Sequence, residues 1–303
     1  MNTTPSVSII MPVYNTESYV DIAIRSVIQQ ELQDFELLLI NDGSTDGSLM
    51  KLEEWALKDE RIHVFSQDNQ GPSAARNRGI LSAKGKYIYF LDSDDTIVPA
   101  TLTMCLSKCE NHHLDFVFFD AISFGGSYSH ITSYLRKGIL NEDVKSGVEW
   151  FKEQLAKDCF RTPVWLNFIR LSHLKEQQLY FVPMLHEDEV FTPLLYCLSS
   201  RVGYIAEPFF QRRLRYNSIM TADYSLINYD YYLQAADNLL KCAKKIDKDS
   251  AYLIKIHVVK MLNAATYRAH ILTFSDKIKI MKRIIPRWCW YIKITTLFKL
   301  FFK

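Results

Sequence analysis

The sequence predicts an α/β fold with a mostly parallel sheet that is open at one edge. Four apolar runs rich in β-branched and aromatic residues come early in the chain: VSIIMPVY from Val7, FELLLIND from Phe35, IHVFSQ from Ile62 and KYIYFLDSDD from Lys86. These runs are continuous rather than alternating, which is typical of strands buried on both faces of a parallel sheet. Helix-like segments over about 17–30, 46–59 and 72–83 separate them, so strand and helix alternate as in βαβ units.

Each helix-like segment begins with residues that favour a helix start or a turn. Asn15 and Thr16 precede the first segment, the polar turn 44–46 leads into the second, and Gly71 followed by Pro72 opens the third. Polar side chains at these positions cap helices, and proline presets the backbone of a first helical turn. The capping signals therefore agree with the strand pattern.

The regular alternation fades after about residue 125. The stretch to about residue 225 has a mixed pattern, and helical periodicity dominates from Tyr229 onward. We expect one α/β domain over 1–225, with halves at 1–124 and 125–225, followed by a helical region over 226–303.

Composition narrows the class of protein. The 303 residues are 48% hydrophobic and 23% charged, which is enough apolar material for a globular core, and a formal net charge of +2 gives no reason to expect a nucleic-acid partner. The six cysteines form no C-x-x-C pair, as in a reduced protein. The N-terminus lacks the pattern of a secretion signal, and no uncharged apolar run reaches the roughly 20 residues that span a bilayer. We expect a cytoplasmic location.

Polar side chains follow three of the four predicted strands. Asn15 follows the first strand, Asp42 follows the second, and Asp92, Asp94 and Asp95 follow the fourth. Ligands of open α/β sheets bind at the carboxyl ends of strands, so these groups face one site. The crowded aspartates repel one another unless a divalent cation such as Mg²⁺ or Mn²⁺ binds them. Helix capping at a strand end is the alternative interpretation.

Several motifs, taken in order, resemble glycosyltransferase family 2, whose members are inverting enzymes with the GT-A fold, a Rossmann-like nucleotide-binding sheet. The matching stretches cover about the first 220 residues: PVYN with Glu17 following, NDGSTDGS, GPSAARNRG, GKYIYFLDSDD, HEDEVF and RLRYNSIM. The joint pattern is specific, although each piece alone also occurs in turns and helix caps.

The resemblance implies a role for each matching position on the donor side. A nucleotide sugar would contact Pro12, Val13, Tyr14, Glu17, Asp42, Arg76, Asp92, Ser93, Arg215 and Ser218. Among these, Asp42 would accept a hydrogen bond from the nucleobase and Arg76 would reach the diphosphate. The resemblance assigns Asp94 as the direct metal ligand and Asp92 as a contact to ribose or to a metal-bound water. Arg215 and Ser218 would belong to a loop that closes over the diphosphate, or to a solvated basic turn.

The motif HEDEVF supplies a candidate general base. Apolar residues after it have helical spacing, so its three acids lie at a helix start, where acidic residues are also favoured by the helix dipole. The resemblance makes Asp188 the base that takes the proton of the attacking hydroxyl, with Glu187 as its orienting or acceptor-binding neighbour.

The last 27 positions, 277–303, contain basic residues but no acidic residue. Helical spacing places Ile278, Met281, Ile284 and Ile285 on one arc and basic residues on the other, and several aromatic residues follow. This composition indicates a segment that lies on an anionic membrane surface. A helix that packs on the rest of the protein, with its basic face in water, is the alternative.

Together these features predict an inverting, metal-dependent glycosyltransferase. It would move a sugar from a UDP-sugar to a hydroxyl of a glycan or a lipid-linked oligosaccharide in bacterial cell-surface polysaccharide synthesis, such as lipopolysaccharide or capsule. It would be attached peripherally to the inner face of the cell membrane. The alternatives are a catalytically silent carbohydrate-binding or membrane scaffold protein and a sugar nucleotidyltransferase. The second lacks support because PVYN stands where a glycine-rich basic loop would follow the first strand.

Overall fold

The protein is seen in a computed structural model that describes residues 4–125, 133–214 and 224–302. The described strands are β1 (Val7–Val13), β2 (Phe35–Asp42), β3 (Ile62–Gln67), β4 (Tyr87–Phe90), β5 (Thr96–Ile97), β6 (Phe116–Phe124), β7 (Val144–Lys145), β8 (Asn167–Arg170) and β9 (Val202–Arg213). The α-helices are α1 (Val20–Ile28), α2 (Ser48–Lys58), α3 (Pro72–Ser82), α4 (Thr101–His112), α5 (Gly147–Ala156), α6 (Leu171–Glu176), α7 (Asp188–Leu198), α8 (Leu226–Cys242), α9 (Lys248–Arg268), α10 (Phe274–Ile284) and α11 (Ile294–Phe302).

The described strands form one mixed sheet in the order β3-β2-β1-β4-β8-β6-β9-β5, with β7 paired to β9. The four predicted strands, β1 to β4, are parallel to one another, and α1, α2 and α3 connect them in the predicted positions. The second half departs from this pattern, because β8 runs antiparallel between β4 and β6. The predicted α/β fold is confirmed.

Alternate residues of β1 point to opposite faces of the sheet, and each face has its own apolar cluster. Ile10 packs on the side of α3, α5, α7 and the C-terminal helices, whereas Ile9 and Met11 pack on the side of α1 and α4. Gly79 of α3 lies so close to β1 that an added Cβ would clash with the Ile10 side chain. Both faces are covered, which explains why the strand sequences are continuously apolar.

The C-terminal helices share a hydrophobic cluster with the sheet. Helix α9 packs on α5 and α8, and its inward residues Ile254, Val258 and Leu262 are fully buried. Both long helices have side-chain caps, from Ser225 for α8 and from Asp247 for α9. The division at about residue 225 stays a prediction. Within the described residues, no helix is both long enough and apolar enough to cross a bilayer.

The tail helices differ from the expected arrangement. Helix α10 buries Ile280 and Ile284, so the predicted arc that joined Ile284 to Ile278 and Ile285 is wrong: the last two are exposed. The reason is that α10 lies against α8, where Arg283 pairs with Asp230 and Arg287 with Asp237, ion pairs that no local pattern reveals. The face of α10 that contacts α8 is therefore packed on the protein, as the alternative interpretation of the tail predicts.

A buried ion pair anchors the chain beyond β6. Asp120 has no exposed surface, and its carboxylate accepts hydrogen bonds from the Arg136 and Lys137 backbone N–H groups at 2.8 and 3.0 Å and from the Tyr204 hydroxyl at 2.9 Å. The Arg136 Nε atom lies 3.1 Å from Asp120 Oδ1. The Arg136 guanidinium also donates to Gln154 Oε1 at 3.3 Å and to the Phe119 carbonyl. This network fixes residues 136–137 to the sheet.

Candidate functional site

The carboxyl ends of β1, β2 and β4 meet at one edge of the sheet, as the sequence predicts. Direct hydrogen bonds join the loops that leave these strands. Thr16 Oγ1 donates to Ser93 Oγ at 3.0 Å, and Asn15 Oδ1 accepts from the Thr45 N–H at 2.8 Å. The three loops therefore form one connected rim.

The predicted nucleotide-pocket residues of β1 lie on this rim but differ in exposure. Tyr14 is about half exposed (48%) and Pro12 is partly buried, whereas the Val13 side chain is fully buried in the core, so only its backbone can face a ligand. Glu17 Oε2 accepts from the Gly47 N–H at 3.0 Å, so this carboxylate holds the start of α2.

Asp42, the predicted partner of a nucleobase, already holds the loop before α3. Its carboxylate is buried and accepts hydrogen bonds from Gln67 Nε2 at 2.8 Å, from the Gln70 N–H at 3.0 Å and from the Gly71 N–H at 2.8 Å. Gly71 has φ +85°, a conformation that favours glycine. A carboxylate has about four acceptor positions, so one more donor can bind Asp42 without loss of these contacts.

Arg76 lies in the first turns of α3, where the sequence places it, but its guanidinium is buried between two carboxylates. Its Nη2 donates to Asp92 Oδ1 at 2.9 Å, its Nη1 pairs with Glu187 Oε1, and it lies over the Phe181 ring. Burial alone lowers the pKa of Arg76, but the Glu187 and Asp92 charges outweigh it and raise this pKa. Direct contact of Arg76 with a diphosphate stays a prediction, and the described contacts favour a role that joins Asp92 to Glu187.

The acidic tip after β4 contains carboxylates in two different situations. Asp95 is buried, and its Oδ1 accepts from the Arg213 backbone N–H at 2.6 Å. Burial, followed by the charges of Asp94 and Asp92, raises the pKa of Asp95 well above its usual range. Asp92 and Asp94 are partly exposed, and Arg213 Nε donates to the Asp94 carbonyl at 3.0 Å. Asp95 thus holds the backbone of Arg213, whereas Asp92 and Asp94, the two residues predicted to bind ligands, lie at the surface of the tip.

The carboxylates of the acidic tip are the oxygen ligands that a divalent cation prefers, and such a cation can bind a phosphate group at the same time. In the described part of the chain, no group of three or more histidine, cysteine, aspartate or glutamate residues is arranged to hold a metal ion. Mg²⁺ and Mn²⁺ prefer oxygen ligands, and Mg²⁺ is commonly held by one or two carboxylates plus phosphate oxygens of the substrate. Asp94 and Asp92 are the residues that could hold such a cation together with a phosphate-bearing ligand.

Asp188 begins α7, and its Oδ1 atom is buried without a hydrogen-bond partner. Burial is the largest cause that raises the pKa of this carboxyl well above its usual range, and Glu187 adds to it. Arg76 and a hydrogen bond from the Val164 backbone N–H oppose the rise. A buried carboxyl with a raised pKa and a free acceptor atom is a candidate proton acceptor.

The residues that flank Glu187 and Asp188 in the sequence, His186 and Glu189, hold the start of α7 in place. His186 adopts φ +60°, and its ring stacks on Tyr232 of α8 with centroids 4.7 Å apart. On the other side, Glu189 accepts from Thr162 Oγ1 at 3.1 Å and lies 3.3 Å from His257 Nε2 of α9. The C-terminal helices therefore help to position the acidic segment of α7.

The structure brings Asp92, Arg76, Glu187 and Asp188 together from three separate motifs. Sequence reasoning did not predict the contacts that Thr16, Val164 and Arg213 make at this site, because these contacts depend on long-range packing. The antiparallel pairing of β5 with β9, which brings Arg213 to the acidic tip, has no local signal. The predicted residues Arg215 and Ser218 lie outside the described part of the chain.

Comparison with known sequences gives one family. The model of the family described as "Glycosyl transferase family 2" matches residues 8–165. The putative glycosyltransferase EpsH of Bacillus subtilis is 30% identical over 221 residues, which cover 72% of this chain and 63% of EpsH. Glycosyltransferase GlyA of Streptococcus pneumoniae is 31% identical over 219 residues, which cover 70% of this chain and 31% of GlyA. The chain thus spans less than two thirds of the length of these relatives.

Two solved structures show a similar fold. S. aureus TarS 1–349 in complex with UDP-GlcNAc has a TM-score of 0.70 at 22% identity, covering 94% of this chain and 79% of that chain. The mannosyltransferase PcManGT of Pyrobaculum calidifontis, in complex with GDP-Man and Mn²⁺, has a TM-score of 0.57 at 13% identity, covering 99% of this chain and 86% of that chain. These likenesses confirm the predicted GT-A fold with a helical C-terminal part.

Proposed function

The chain belongs to glycosyltransferase family 2, and from this premise we propose that it transfers a sugar from a UDP-sugar to a hydroxyl of a glycan or lipid-linked oligosaccharide, with inversion at the anomeric carbon. One observation carries the proposal: Asp188 presents a buried carboxyl oxygen without a partner beside Glu187, which Arg76 connects to the acidic tip. This arrangement supports the assignment of Asp188 as a proton acceptor beside a site for a charged leaving group.

The proposed donor site is the rim at the carboxyl ends of β1, β2 and β4. In this proposal Tyr14 and Glu17 contact the base and ribose, Asp42 accepts one further hydrogen bond from the base, and Asp92 and Ser93 follow β4. The TarS complexes with UDP and UDP-GlcNAc support a UDP-sugar as donor. Asp94, together with Asp92, would hold Mg²⁺ or Mn²⁺, which when bound offsets negative charge on the departing UDP.

The proposed transfer is a single displacement. The acceptor oxygen forms a bond to the anomeric carbon, the bond from that carbon to the UDP oxygen breaks, and Asp188 takes the acceptor proton. Glu187, held by Arg76, orients the acceptor hydroxyl. The protonated carboxyl that forms at Asp188 is stabilised by its surroundings, because burial and the charge of Glu187 favour the neutral form.

Release of UDP tests the proposal as a whole. A panel of UDP-sugars and GDP-mannose, each supplied with Mg²⁺ or Mn²⁺, should include a donor from which the protein slowly releases the nucleoside diphosphate. A binding protein without catalysis would bind UDP and release nothing from any donor. A nucleotidyltransferase would instead release pyrophosphate from UTP and a sugar phosphate.

Asp94→Ala is expected to remove the metal dependence of UDP binding. In the unaltered protein, added Mn²⁺ should strengthen UDP binding by about tenfold or more, equivalent to about 1.4 kcal/mol, because the cation joins the carboxylates to the diphosphate. Calorimetric titration with UDP, with and without Mn²⁺, measures this difference. Asp249→Ala, an exposed aspartate in the first turn of α9, is the control. Equal metal dependence in Asp94→Ala and the control would exclude Asp94 as a ligand.

The pH profile of transfer reports the protonation of Asp188. A base must be ionised to accept a proton, so a raised pKa moves the acidic limb of kcat/KM toward neutral pH. Glu187→Gln removes one cause of the rise and frees the positive charge of Arg76, and both changes lower the pKa of Asp188. The limb should therefore move to lower pH in Glu187→Gln, but not in Glu176→Gln, which changes an exposed glutamate of α6. A limb that stays in place or moves to higher pH would contradict this assignment.

We also propose that residues 277–303 attach the enzyme peripherally to the anionic inner face of the bacterial cell membrane. The absence of acidic residues in this segment supports the proposal. A membrane location suits an acceptor that is linked to lipid.

A further inference from the structure

Two arginines near the candidate site have no carboxylate partner within the described residues. Arg161 lies in the loop between α5 and β8, Arg212 is the last residue but one of β9, and both are partly buried. By contrast, Arg76 and Arg136 each pair with a buried carboxylate. A partly buried cation without a counter-charge is unfavourable until an anion binds beside it. Arg161 and Arg212 are therefore candidates for binding an anionic group.

The hydrogen bonds of Arg161 all go to backbone carbonyls. Its Nε donates to the Ser133 carbonyl at 2.8 Å, and its Nη1 donates to two carbonyls of its own loop at 2.8 and 3.3 Å. Its Nη2 group has no partner among the described residues. Burial, followed by the charge of Arg136, lowers the pKa of Arg161, and the charge of Asp158 opposes this only in part. The Asp158 carboxylate itself lies 2.8 Å from Lys260 Nζ. The positive charge of Arg161 is thus incompletely balanced.

Tyr134 joins the two arginines. Arg212 Nη1 donates to the Tyr134 hydroxyl at 2.6 Å, and Ser133, whose carbonyl accepts from Arg161, is the preceding residue. Burial raises the pKa of the Tyr134 hydroxyl, and the charges of Arg212 and Arg161 both oppose this rise. Arg212 leaves its Nε and Nη2 groups without a partner in the described part of the chain. We name Tyr134, Arg161 and Arg212 the cationic cluster.

On one side, the cationic cluster contacts the segment that holds Asp188. The Tyr134 ring packs edge-on against Trp165, with centroids 5.0 Å apart. The preceding residue, Val164, donates its backbone N–H to Asp188, and Arg161 lies three residues earlier in the same segment. An anion bound at the cluster would therefore lie on the side of the proposed base.

On the other side, the cationic cluster is joined to the acidic tip through β9. Arg213 donates its backbone N–H to Asp95 Oδ1 at 2.6 Å. Side chains alternate along a strand, so Arg212 points to the opposite face from Arg213. Phe210 shares the face of Arg212 and stacks on Trp165 with centroids 3.9 Å apart. The cluster thus lies between the tip and the segment that holds the base.

We propose that the cationic cluster binds an anionic group of the acceptor, a phosphate or a carboxylate that a saccharide carries. This proposal names the acceptor class and rests on the proposed glycosyltransferase function. A planar guanidinium binds the oxygens of either group through parallel charge-assisted hydrogen bonds. The donor diphosphate is assigned to the tip and its cation, which leaves the arginines on the Asp188 side for the acceptor.

Binding without a donor sugar tests the site itself. The 6-phosphates and the uronic acids of glucose, galactose and mannose would each be compared with the uncharged sugar by calorimetric titration, with UDP and Mn²⁺ present to occupy the proposed donor site. At least one charged saccharide should bind about tenfold more tightly than its uncharged counterpart. The tighter class identifies phosphate or carboxylate as the group. Equal binding of charged and uncharged sugars, or no binding of any charged sugar, would overturn the proposal.

Arg161→Gln/Arg212→Gln removes both charges and should abolish this preference. Arg201→Gln is the matched control, because the Arg201 guanidinium also donates to a backbone carbonyl, that of His112, but at the opposite end of β9. Arg212→Gln alone keeps the loop contacts of Arg161 and should reduce the preference by about threefold or more, which preserves the test if the double variant does not fold. An unchanged preference in Arg212→Gln would overturn the proposal. A loss of UDP affinity in these variants would also overturn it, by assigning the arginines to the donor.

Transfer gives a second readout, the ratio of kcat/KM for a charged acceptor to that for its uncharged counterpart. This ratio should be about tenfold or more in the unaltered protein and in Arg201→Gln, and should approach one in the double variant. If the arginines only hold the loop, their loss would lower kcat/KM for both acceptors alike and leave the ratio unchanged, which would overturn the proposal. If charged sugars bind but no donor releases UDP, the proposed function fails and the anion site stands. Transfer without any preference for charge would leave the proposed function standing and refute the anion site.

Discussion

Asp188→Asn is expected to lower the rate of sugar transfer by roughly 10²–10⁴-fold, the usual contribution of a general base. Asparagine has nearly the same shape as aspartate and can still accept the hydrogen bond from the Val164 N–H group. Its amide cannot take a proton from the acceptor hydroxyl at neutral pH. UDP-sugar affinity should therefore stay nearly unchanged while kcat falls, which single-turnover measurements at saturating donor would show.

Glu189→Gln is the matched control for this substitution. It removes a carboxylate from the same first turn of α7, where charge interacts with the helix dipole, but Glu189 contacts Thr162 and His257 instead of the rim. We expect a much smaller loss of rate in this variant. Near-normal transfer by Asp188→Asn, or equal losses in the two variants, would show that Asp188 is not the base.

Arg136→Met is expected to reduce the free energy of unfolding by about 3–5 kcal/mol, because it leaves the Asp120 carboxylate buried without its cationic partner. Asp120 would keep its hydrogen bonds from two backbone N–H groups and the Tyr204 hydroxyl. These neutral donors do not replace the arginine charge. Urea denaturation followed by tryptophan fluorescence measures the change through the midpoint of the transition.

Lys137→Met, at the next position, serves as the control for the arginine substitution. Lys137 is exposed and pairs with Glu207 at the surface, so its replacement should change the free energy of unfolding by less than about 1 kcal/mol. The double variant Asp120→Asn/Arg136→Met should be more stable than Arg136→Met alone, since no charge remains buried. Similar midpoints for Arg136→Met and Lys137→Met would refute the importance of the pair.

The first half of the fold could be predicted because its signals are local. Each of the first four strands is a continuous apolar run, and proline or polar residues mark the intervening helix starts. Strand β8 has four residues and lies between β4 and β6. Its pairing with β4 joins residues that are far apart in sequence: 79 positions separate Tyr89 from Phe168, and 83 separate Tyr87 from Arg170. The two-residue strands β5 and β7 carry no pattern of their own. Such pairing becomes visible only in three dimensions.

The candidate site shows the same division between local and long-range information. The acidic tip and the acids of α7 are visible as motifs, and the common edge of parallel strands explains the meeting of the β1, β2 and β4 loops. The partners of Arg76 are 16 and 111 residues away in sequence, so its position between Asp92 and Glu187 could not be derived from spacing. In the tail, periodicity indicated an amphipathic helix but could not identify the side that α8 covers.

The guanidinium of Arg76 holds one carboxylate from each side of the proposed reaction, Asp92 for the donor and Glu187 for the acceptor. In the proposed function, a nucleotide that draws Asp92 away would also change the charge balance at Glu187, so the two substrates would be energetically coupled through Arg76. By thermodynamic reciprocity, whatever factor the donor imposes on acceptor affinity, the acceptor imposes on the donor. Cooperative binding of donor and acceptor would follow from this geometry without any movement of domains.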